Sequence, residues 1–201
     1  MSSTRYKDFV KEIERARDLV GLGQSLSSLT QGRVGGEDLY RSALVHCVAA
    51  LDSYIHGVVL DRAVDILMMR SSAGSGGKVG LPFVAIGQIF TAARSGEASM
   101  EIVARSIIAE RLALETYQRP DDIGSALAMV GISKIWSIAF AGEAGQRKID
   151  LGLVVSRRNR IVHQCDLDPL NPGSITPLSD IDALASITTI EEIVTGIDKA
   201  V

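Results

Sequence analysis

Residues 37–70 read EDLYRSALVHCVAALDSYIHGVVLDRAVDILMMR, and this stretch decides the fold class. Apolar side chains recur along it every three or four residues, which is the spacing of one face of an α-helix. The stripe comprises Leu44, Cys47, Val48, Leu51, Ile55, Val58, Val59 and Leu67. The stretch contains no proline, and Gly57 is its one glycine. A helix of about thirty residues is longer than average, so we predict that it forms the central scaffold of the fold. We expect a bend at Gly57.

Helical spacing continues on both sides of this stretch. It predicts further helices at about 6–20, 82–94, 98–118, 121–140, 143–165 and 179–201. The sequence SSAGSGGKVG at 71–80 and the proline-containing stretch 166–177 are predicted loops. Alternating strand patterns, hairpin turns and internal repeats are not found in the sequence. The predicted fold is all-α, a helical bundle of about six or seven helices. Residues 1–36 would form an N-terminal helix and a Gly/Ser-rich connection, and 37–201 the main helical domain.

The composition excludes several classes of protein. Of the 201 residues, 46% are hydrophobic and 22% charged, which is typical of a globular chain and not of a disordered, collagenous or coiled-coil one. The net charge of -3 argues against a protein that binds duplex nucleic acid over its whole surface, although it allows a local basic patch. Two cysteines and an N-terminus without an apolar leader predict a cytoplasmic location. Apolar runs fall far short of the roughly 20 residues that span a membrane, so no membrane partner is expected.

Nucleotide and metal motifs are absent from the sequence. Gly77-Lys78 is followed by Val79, where a phosphate-binding loop needs serine or threonine, and Ser72 stands where that loop needs its first glycine. The imidazole and thiol side chains do not have the spacing of a zinc site. They are His46, Cys47, His56, His163 and Cys165. We therefore predict no metal and no cofactor.

One basic stretch stands out: residues 157–163 read RRNRIVH within an acidic protein. On composition alone it is a solvated helix face whose basic turn complements the helix dipole. The residue types also fit chemistry on a phosphodiester. Histidine exchanges a proton near neutral pH, and the planar fork of arginine binds phosphate oxygens while keeping its charge. Both interpretations are compatible with the residues.

The spacing within this stretch adds a geometric constraint. Asn159 and His163 are four residues apart and share a helix face, so Asn159 could fix the orientation of the His163 ring. Arg158 and His163 are five residues apart and lie about 140° apart around a helix. One helix therefore aims these two side chains poorly at a common point. A second copy across a two-fold axis would correct this, because it brings two such helices face to face.

The sequence resembles the HEPN superfamily, whose signature is an arginine followed four to six residues later by a histidine, typically in the form Arg-Asn-x-x-x-His. Arg158, Asn159 and His163 match that form. Residues 43–56, ALVHCVAALDSYIH, are similar to the long early helix of the RiboL-PSP-HEPN family, and Trp136 precedes the motif helix as in that family. The similarity covers roughly residues 39–201. The short motif alone has low specificity, and the order of the flanking helices strengthens the match.

The resemblance implies a helical domain that dimerises with the motif helices at the interface, and a metal-independent endoribonuclease activity. It assigns proton transfer or leaving-group stabilisation to His163, phosphate binding to Arg158 and an orienting role to Asn159. Arg157 and Arg160 would add affinity for the RNA backbone. Asp52 matches an acidic position found in family members, and its carboxylate could position Arg158. The alternative for Asp52 is a simple exposed aspartate. Trp136 is expected in the core.

Three functions follow from the resemblance and the composition. The first is a toxin or defence effector that cleaves cellular RNA such as transfer RNA. The second is a non-catalytic HEPN module that binds RNA, a nucleotide or a partner protein, which the acidic composition and scarce aromatic residues fit equally well. The third is a structural dimer or a subunit that pairs with an antitoxin or regulatory partner, whose acidic surface would meet the basic stretch.

Overall fold

The computed structural model describes residues 3–31, 33–74, 77–171 and 173–201, except for the side chain of Ser27. It confirms the all-α fold class. The described residues form eight α-helices, a short 3-10 helix at Ala141–Glu143 and one isolated β-bridge between Leu167 and Ile175. The helices are α1 (Thr4–Leu29), α2 (Glu37–Leu67), α3 (Phe83–Ala93), α4 (Glu97–Leu112), α5 (Pro120–Met129), α6 (Ile135–Phe140), α7 (Ala144–Gln164) and α8 (Asp180–Ala200). Ser75 and Gly76 of one predicted loop, and Pro172 of the other, lie outside the described residues.

The chain divides into two compact units. The first comprises Met1–Leu51, Gln118–Pro120 and Trp136–Val201, and the second comprises Asp52–Tyr117 and Asp121–Ile135. These boundaries differ from the predicted one after residue 36. The difference arises because α1 packs against α8, so that the N-terminal helix belongs to the same unit as the last one.

The first unit is built on the packing of α8 against α1 and α7. A row of apolar side chains on each of these helices is fully or almost fully buried. Polar contacts flank the seam between α1 and α8: the hydroxyls of Tyr6 and Thr195 are 2.8 Å apart, and Arg17 forms an ion pair with Glu191. The buried row comprises Phe9, Ile13, Ala16, Val20, Leu151, Val155, Ile187, Ile190, Val194 and Ile197. Burial of this kind contributes roughly 1.5–3 kcal/mol for each large side chain.

The helix α1 continues beyond the glycines at which the apolar pattern weakens. It runs to Leu29, past Gly21 and Gly23. Gly23 is buried, and a β-carbon there would lie only 2.6 Å from the ring of Tyr40. The glycine therefore permits a close approach within this unit, and packing outweighs its low helix propensity.

Within the second unit, α3 packs against α4, and the latter part of α2 supplies buried side chains. The predicted helix over 121–140 is interrupted here, which separates α5 from α6. Gly131 has a φ of 84° and Lys134 a φ of 57°. Both are left-handed conformations that an α-helix does not contain, and the helical spacing of the apolar residues does not reveal them.

The long helix α2 confirms the predicted scaffold element, from Glu37 to Leu67. Its length and composition alone would suffice to cross a membrane, and among the described residues it is the one such helix. In the protein, 56% of its most apolar window is buried, and the core helix of a soluble protein passes the same test. The feature is therefore weak evidence for a membrane span.

The contact between Gly196 of α8 and Phe140 gives a test of the packing in the first unit. A β-carbon at position 196 would overlap the Phe140 ring, which stacks on Trp136 with 5.7 Å between ring centroids. We expect Gly196→Ala to lower the free energy of unfolding by about 1–3 kcal/mol, because overpacking forces its neighbours to move. Gly152→Ala on α7 is the control, since nothing lies within 4 Å of its added β-carbon. That variant should be neutral or gain up to about 1 kcal/mol. Urea denaturation measures both, and an equal effect would contradict the packing described here.

Candidate functional site

All residues of the basic motif lie on the last two turns of α7. They are Arg157, Arg158, Asn159, Arg160 and His163. The helix ends at Cys165, whose φ of 52° is left-handed, and Asp166 follows with a φ of 54°. The backbone N–H groups of Cys165 and Asp166 both donate to the carbonyl oxygen of Arg160. The chain therefore reverses direction directly after the motif, and the reversal is held by the backbone of a motif residue.

Arg157 is held in a buried ionic network. Its Nη2 donates to Asp166 Oδ2 at 2.7 Å and to the carbonyl oxygens of Thr176 and Pro177 at 2.9 and 3.1 Å. The side chain of Asp166 is only 1% exposed, and that of Arg157 is 15% exposed. Burial lowers the pKa of the Arg157 guanidinium from its ordinary value, and the charge of Asp166 opposes this effect. These contacts are structural, and RNA binding by Arg157 stays a prediction.

A second arginine completes this network from α2. Arg41 Nε donates to Asp166 Oδ2 at 3.0 Å, and its Nη2 donates to the carbonyl oxygen of Thr176 at 3.0 Å. The Arg41 side chain is 12% exposed. The backbone of Thr176 also donates to the Asp166 carbonyl at 2.8 Å. The two arginines thus fix the loop after the motif onto α2 and α7. The sequence alone did not predict this role for Arg41 or Asp166.

Arg158 lies on the buried face of α7. It follows Leu151 by seven residues, which places it about 20° from that buried side chain around the helix. Its Nη1 donates to Asn159 Oδ1 at 3.0 Å, and its Nε is buried with no hydrogen-bond partner in the described chain. Because this Nε is buried, a phosphate oxygen would have to bind the guanidinium through its terminal nitrogens. The amide oxygen of Asn159 thus holds the arginine, and its predicted role in orienting the His163 ring stays a prediction.

His163 is exposed on the final turn of α7. It shares a side of the helix with Asn159, and no hydrogen bond joins it to Arg158 within the residues that the structure describes. Arg160 lies on another side of the same turns, and its Nε is buried without a partner. A single chain thus leaves His163 apart from Arg158, as the angular spacing of these two residues predicts.

The face of α7 that carries Arg160 also carries apolar side chains. Ile149 and Leu153 are both more than half exposed. They precede Arg160 by eleven and seven residues, which places all three within about 40° of one another around the helix. We call Ile149, Leu153 and Arg160 the outer face of α7. Arg158 lies about 160° from this face, on the opposite side of the helix.

Asp52 belongs to the second unit and makes its contacts there. Its Oδ1 accepts the backbone N–H of Tyr117 and lies 3.7 Å from His56 Nδ1. The His56 ring packs against the Tyr117 ring with 4.4 Å between centroids, and its Nε2 lies 3.2 Å from the carbonyl oxygen of Leu112. Asp52 is partly buried and hydrogen-bonded, and is not a simple exposed aspartate. Its proposed influence on Arg158 stays a prediction.

The other side chains considered as site residues are Trp136 and the two cysteines. Trp136 is 5% exposed, and its indole N–H donates to the carbonyl of Pro120 at 2.9 Å, so it lies in the core as expected. Burial raises the pKa of the Cys47 thiol to about 12, which keeps it protonated and unreactive. Cys165 is a free, exposed thiol. Across the ranges that the structure describes, no three histidine, cysteine or acidic side chains gather as metal ligands.

Comparison with known proteins gives no match: no family model, curated protein or solved structure matches this chain. Membership of the RiboL-PSP-HEPN family therefore stays a prediction, based on the residues Arg158, Asn159 and His163 and on the order of the predicted helices around them.

Proposed function

We propose that this protein is a metal-independent endoribonuclease of the HEPN type, acting as a cytoplasmic toxin or defence effector on RNA such as transfer RNA. One observation carries the proposal. Arg158 is hydrogen-bonded to Asn159, and His163 is exposed on the following turn of the same helix. These residues together supply a cation for a phosphate and a group that exchanges protons.

The chemistry uses the nucleophile that RNA itself carries. The 2'-oxygen loses its proton and attacks the adjacent phosphorus. The bond from phosphorus to the 5'-oxygen then breaks, and that oxygen takes up a proton. The products are a 2',3'-cyclic phosphate and a 5'-hydroxyl. His163 moves a proton at one of the two oxygens, Arg158 stabilises the charge on the pentacoordinate phosphate, and Asn159 orients Arg158. Neither a metal nor a cofactor takes part in this scheme.

The proposal includes a homodimer with the α7 helices at the interface. One feature supports it: Arg158 and His163 are about 140° apart on one helix, so a single copy aims these two side chains poorly at a common phosphate. In a symmetric dimer, Arg158 of one copy and His163 of the other can reach the same phosphate. Sedimentation at micromolar concentration should therefore give a mass near twice 21.4 kDa. A monomer alone would contradict this part of the proposal.

RNA cleavage in the presence of EDTA tests the activity. Purified protein is incubated with total transfer RNA, and the ends of the products are mapped. We expect cleavage that survives chelation and leaves 2',3'-cyclic phosphate ends. Cleavage that requires a divalent cation, or that leaves 3'-hydroxyl ends, would overturn the mechanism.

A second candidate function is a HEPN module that binds RNA, a nucleotide or a partner protein without cleaving. The observation that favours it is the structural use of Arg157, which leaves the motif with fewer cations for the RNA backbone. Expression in a host distinguishes the two functions. An active toxin slows growth, and His163→Ala relieves the effect. Equal growth of both strains, with binding of transfer RNA in a mobility-shift assay, would favour the module. Salt-sensitive association with an acidic protein encoded by a neighbouring gene would indicate an antitoxin or regulatory partner.

A further inference from the structure

The second unit contains an apolar cavity of about 600 Å³. Its walls are formed by the end of α2, the described part of the loop that follows, and residues of α3, α4 and α5. Ile86, Ile89 and Phe90 line it from α3, and Ala63 and Leu67 line it from α2. None of the motif residues on α7 takes part, so the cavity is independent of the proposed ribonuclease site.

The volume of this cavity is that of a ligand site. An apolar cavity of about 150 Å³ accepts a single benzene ring, and small-molecule sites generally measure about 300–1,000 Å³. The present cavity is therefore large enough for a long alkyl chain. Its walls are almost entirely hydrocarbon, with Met100 and Met129 adding flexible side chains that adapt to such a chain.

One positively charged side chain lies beside this apolar cavity and indicates which charged group a ligand would carry. Lys78 is the one charged residue among its described lining residues, and it is exposed. No carboxylate of the described chain forms an ion pair with it. A lysine places its apolar stem along a hydrocarbon wall while its ammonium group stays in water. The cavity thus combines an apolar interior with a single cation at its opening.

We infer that this cavity binds one long-chain fatty acid, with the alkyl chain between α2, α3 and α4 and the carboxylate at the ammonium group of Lys78. A peptide or a second copy of the chain would make different contacts. A docked helix would also cover Phe83, which is mostly exposed on the same side of α3 as Phe90 and does not line the cavity. A fatty acid needs only the lining residues.

Calorimetric titration with palmitate tests the inference. We expect saturable binding of one palmitate per wild-type chain. Ile86→Glu places a carboxylate in the cavity wall and should reduce the affinity by more than tenfold, because a charge in an apolar site is poorly solvated. Val84→Glu is the matched control, since Val84 lies on the same helix and faces away from the cavity lining. It should bind palmitate as the wild type does.

The charged end of the ligand is tested at Lys78, where an exposed substitution leaves the fold intact. Lys78→Ala should weaken palmitate binding up to about fivefold, the effect of an exposed ion pair. The same variant should bind 1-hexadecanol, which has no carboxylate, as tightly as the wild type does. Lys7→Ala, at an exposed lysine of the first unit, should leave the affinity for both ligands unchanged. Absence of saturable palmitate binding would overturn the inference, as would an equal loss in Val84→Glu and Ile86→Glu. An unchanged palmitate affinity in Lys78→Ala would overturn the assignment of the carboxylate.

Discussion

The His163→Ala variant is expected to cleave transfer RNA roughly 10²–10⁴-fold more slowly than the wild type, the usual contribution of a positioned acid–base group. The alanine removes the proposed proton exchange and leaves the proposed phosphate contact of Arg158 in place. Because His163 is exposed on the last turn of α7, its removal should not alter stability. Single-turnover cleavage rates with excess enzyme measure the chemical step, and thermal unfolding checks the fold.

Neighbouring and conservative substitutions serve as controls for this prediction. Gln164→Ala, at the adjacent exposed position, should cleave at the wild-type rate. Arg158→Ala should lose as much activity as His163→Ala. Arg158→Lys should recover only part of it, because lysine retains the charge but not the planar fork. Cleavage by His163→Ala at the wild-type rate would remove this residue from the mechanism.

Mixing the two inactive variants tests whether one active site uses two chains. If Arg158 of one copy acts with His163 of the other, a heterodimer of Arg158→Ala and His163→Ala contains one intact site. Random exchange of subunits would then restore up to about a quarter of the wild-type sites. No recovery after subunit exchange would place both residues of a site in the same chain.

The Asp166→Asn variant is expected to lose about 3–5 kcal/mol of folding free energy. Removal of one partner of a buried ion pair leaves the opposite charge uncompensated, and here two guanidinium groups, those of Arg41 and Arg157, bond to one carboxylate oxygen. The carboxylate is 1% exposed, so water cannot replace it. Urea denaturation followed by circular dichroism measures the loss.

Asp38→Asn is the control for this network. Asp38 pairs with the same Arg41 at 3.1 Å, but its side chain is 94% exposed. An exposed pair contributes only about 0–1 kcal/mol, so this variant should be nearly as stable as the wild type. Equal losses at Asp38 and Asp166 would show that burial does not determine the strength of these contacts.

The sequence predicts those parts of the fold in which local and tertiary preferences agree. The apolar stripe of α2 predicts its first residue and places its last one within three residues, and Ser179 caps α8 as expected, with a capping box to Asp182. Predictions fail where packing overrides the local signal. Gly23 does not end α1, because it permits contact with Tyr40.

The candidate site was predictable only within one helix. Positions 157–163 lie on α7, and their angular separations follow from helix geometry alone. The ionic network around Arg157 was not predictable. Arg41 joins it through Asp166, which is 125 residues away in sequence, and no motif marks either residue. The same holds for the cavity at Lys78, which depends on how several helices of the second unit pack.

The pairing of α1 with α8 has a consequence for the order of events during synthesis. A chain leaves the ribosome from its N-terminus, and domains generally fold in that order. The motif helix emerges before α8, yet α8 supplies the partner for both α1 and α7. A nascent chain that already displays Arg158 and His163 therefore lacks the support that fixes their helix. The proposed nuclease would become active only after α8 has been translated, and chains interrupted before that point would be harmless to the cell that makes them.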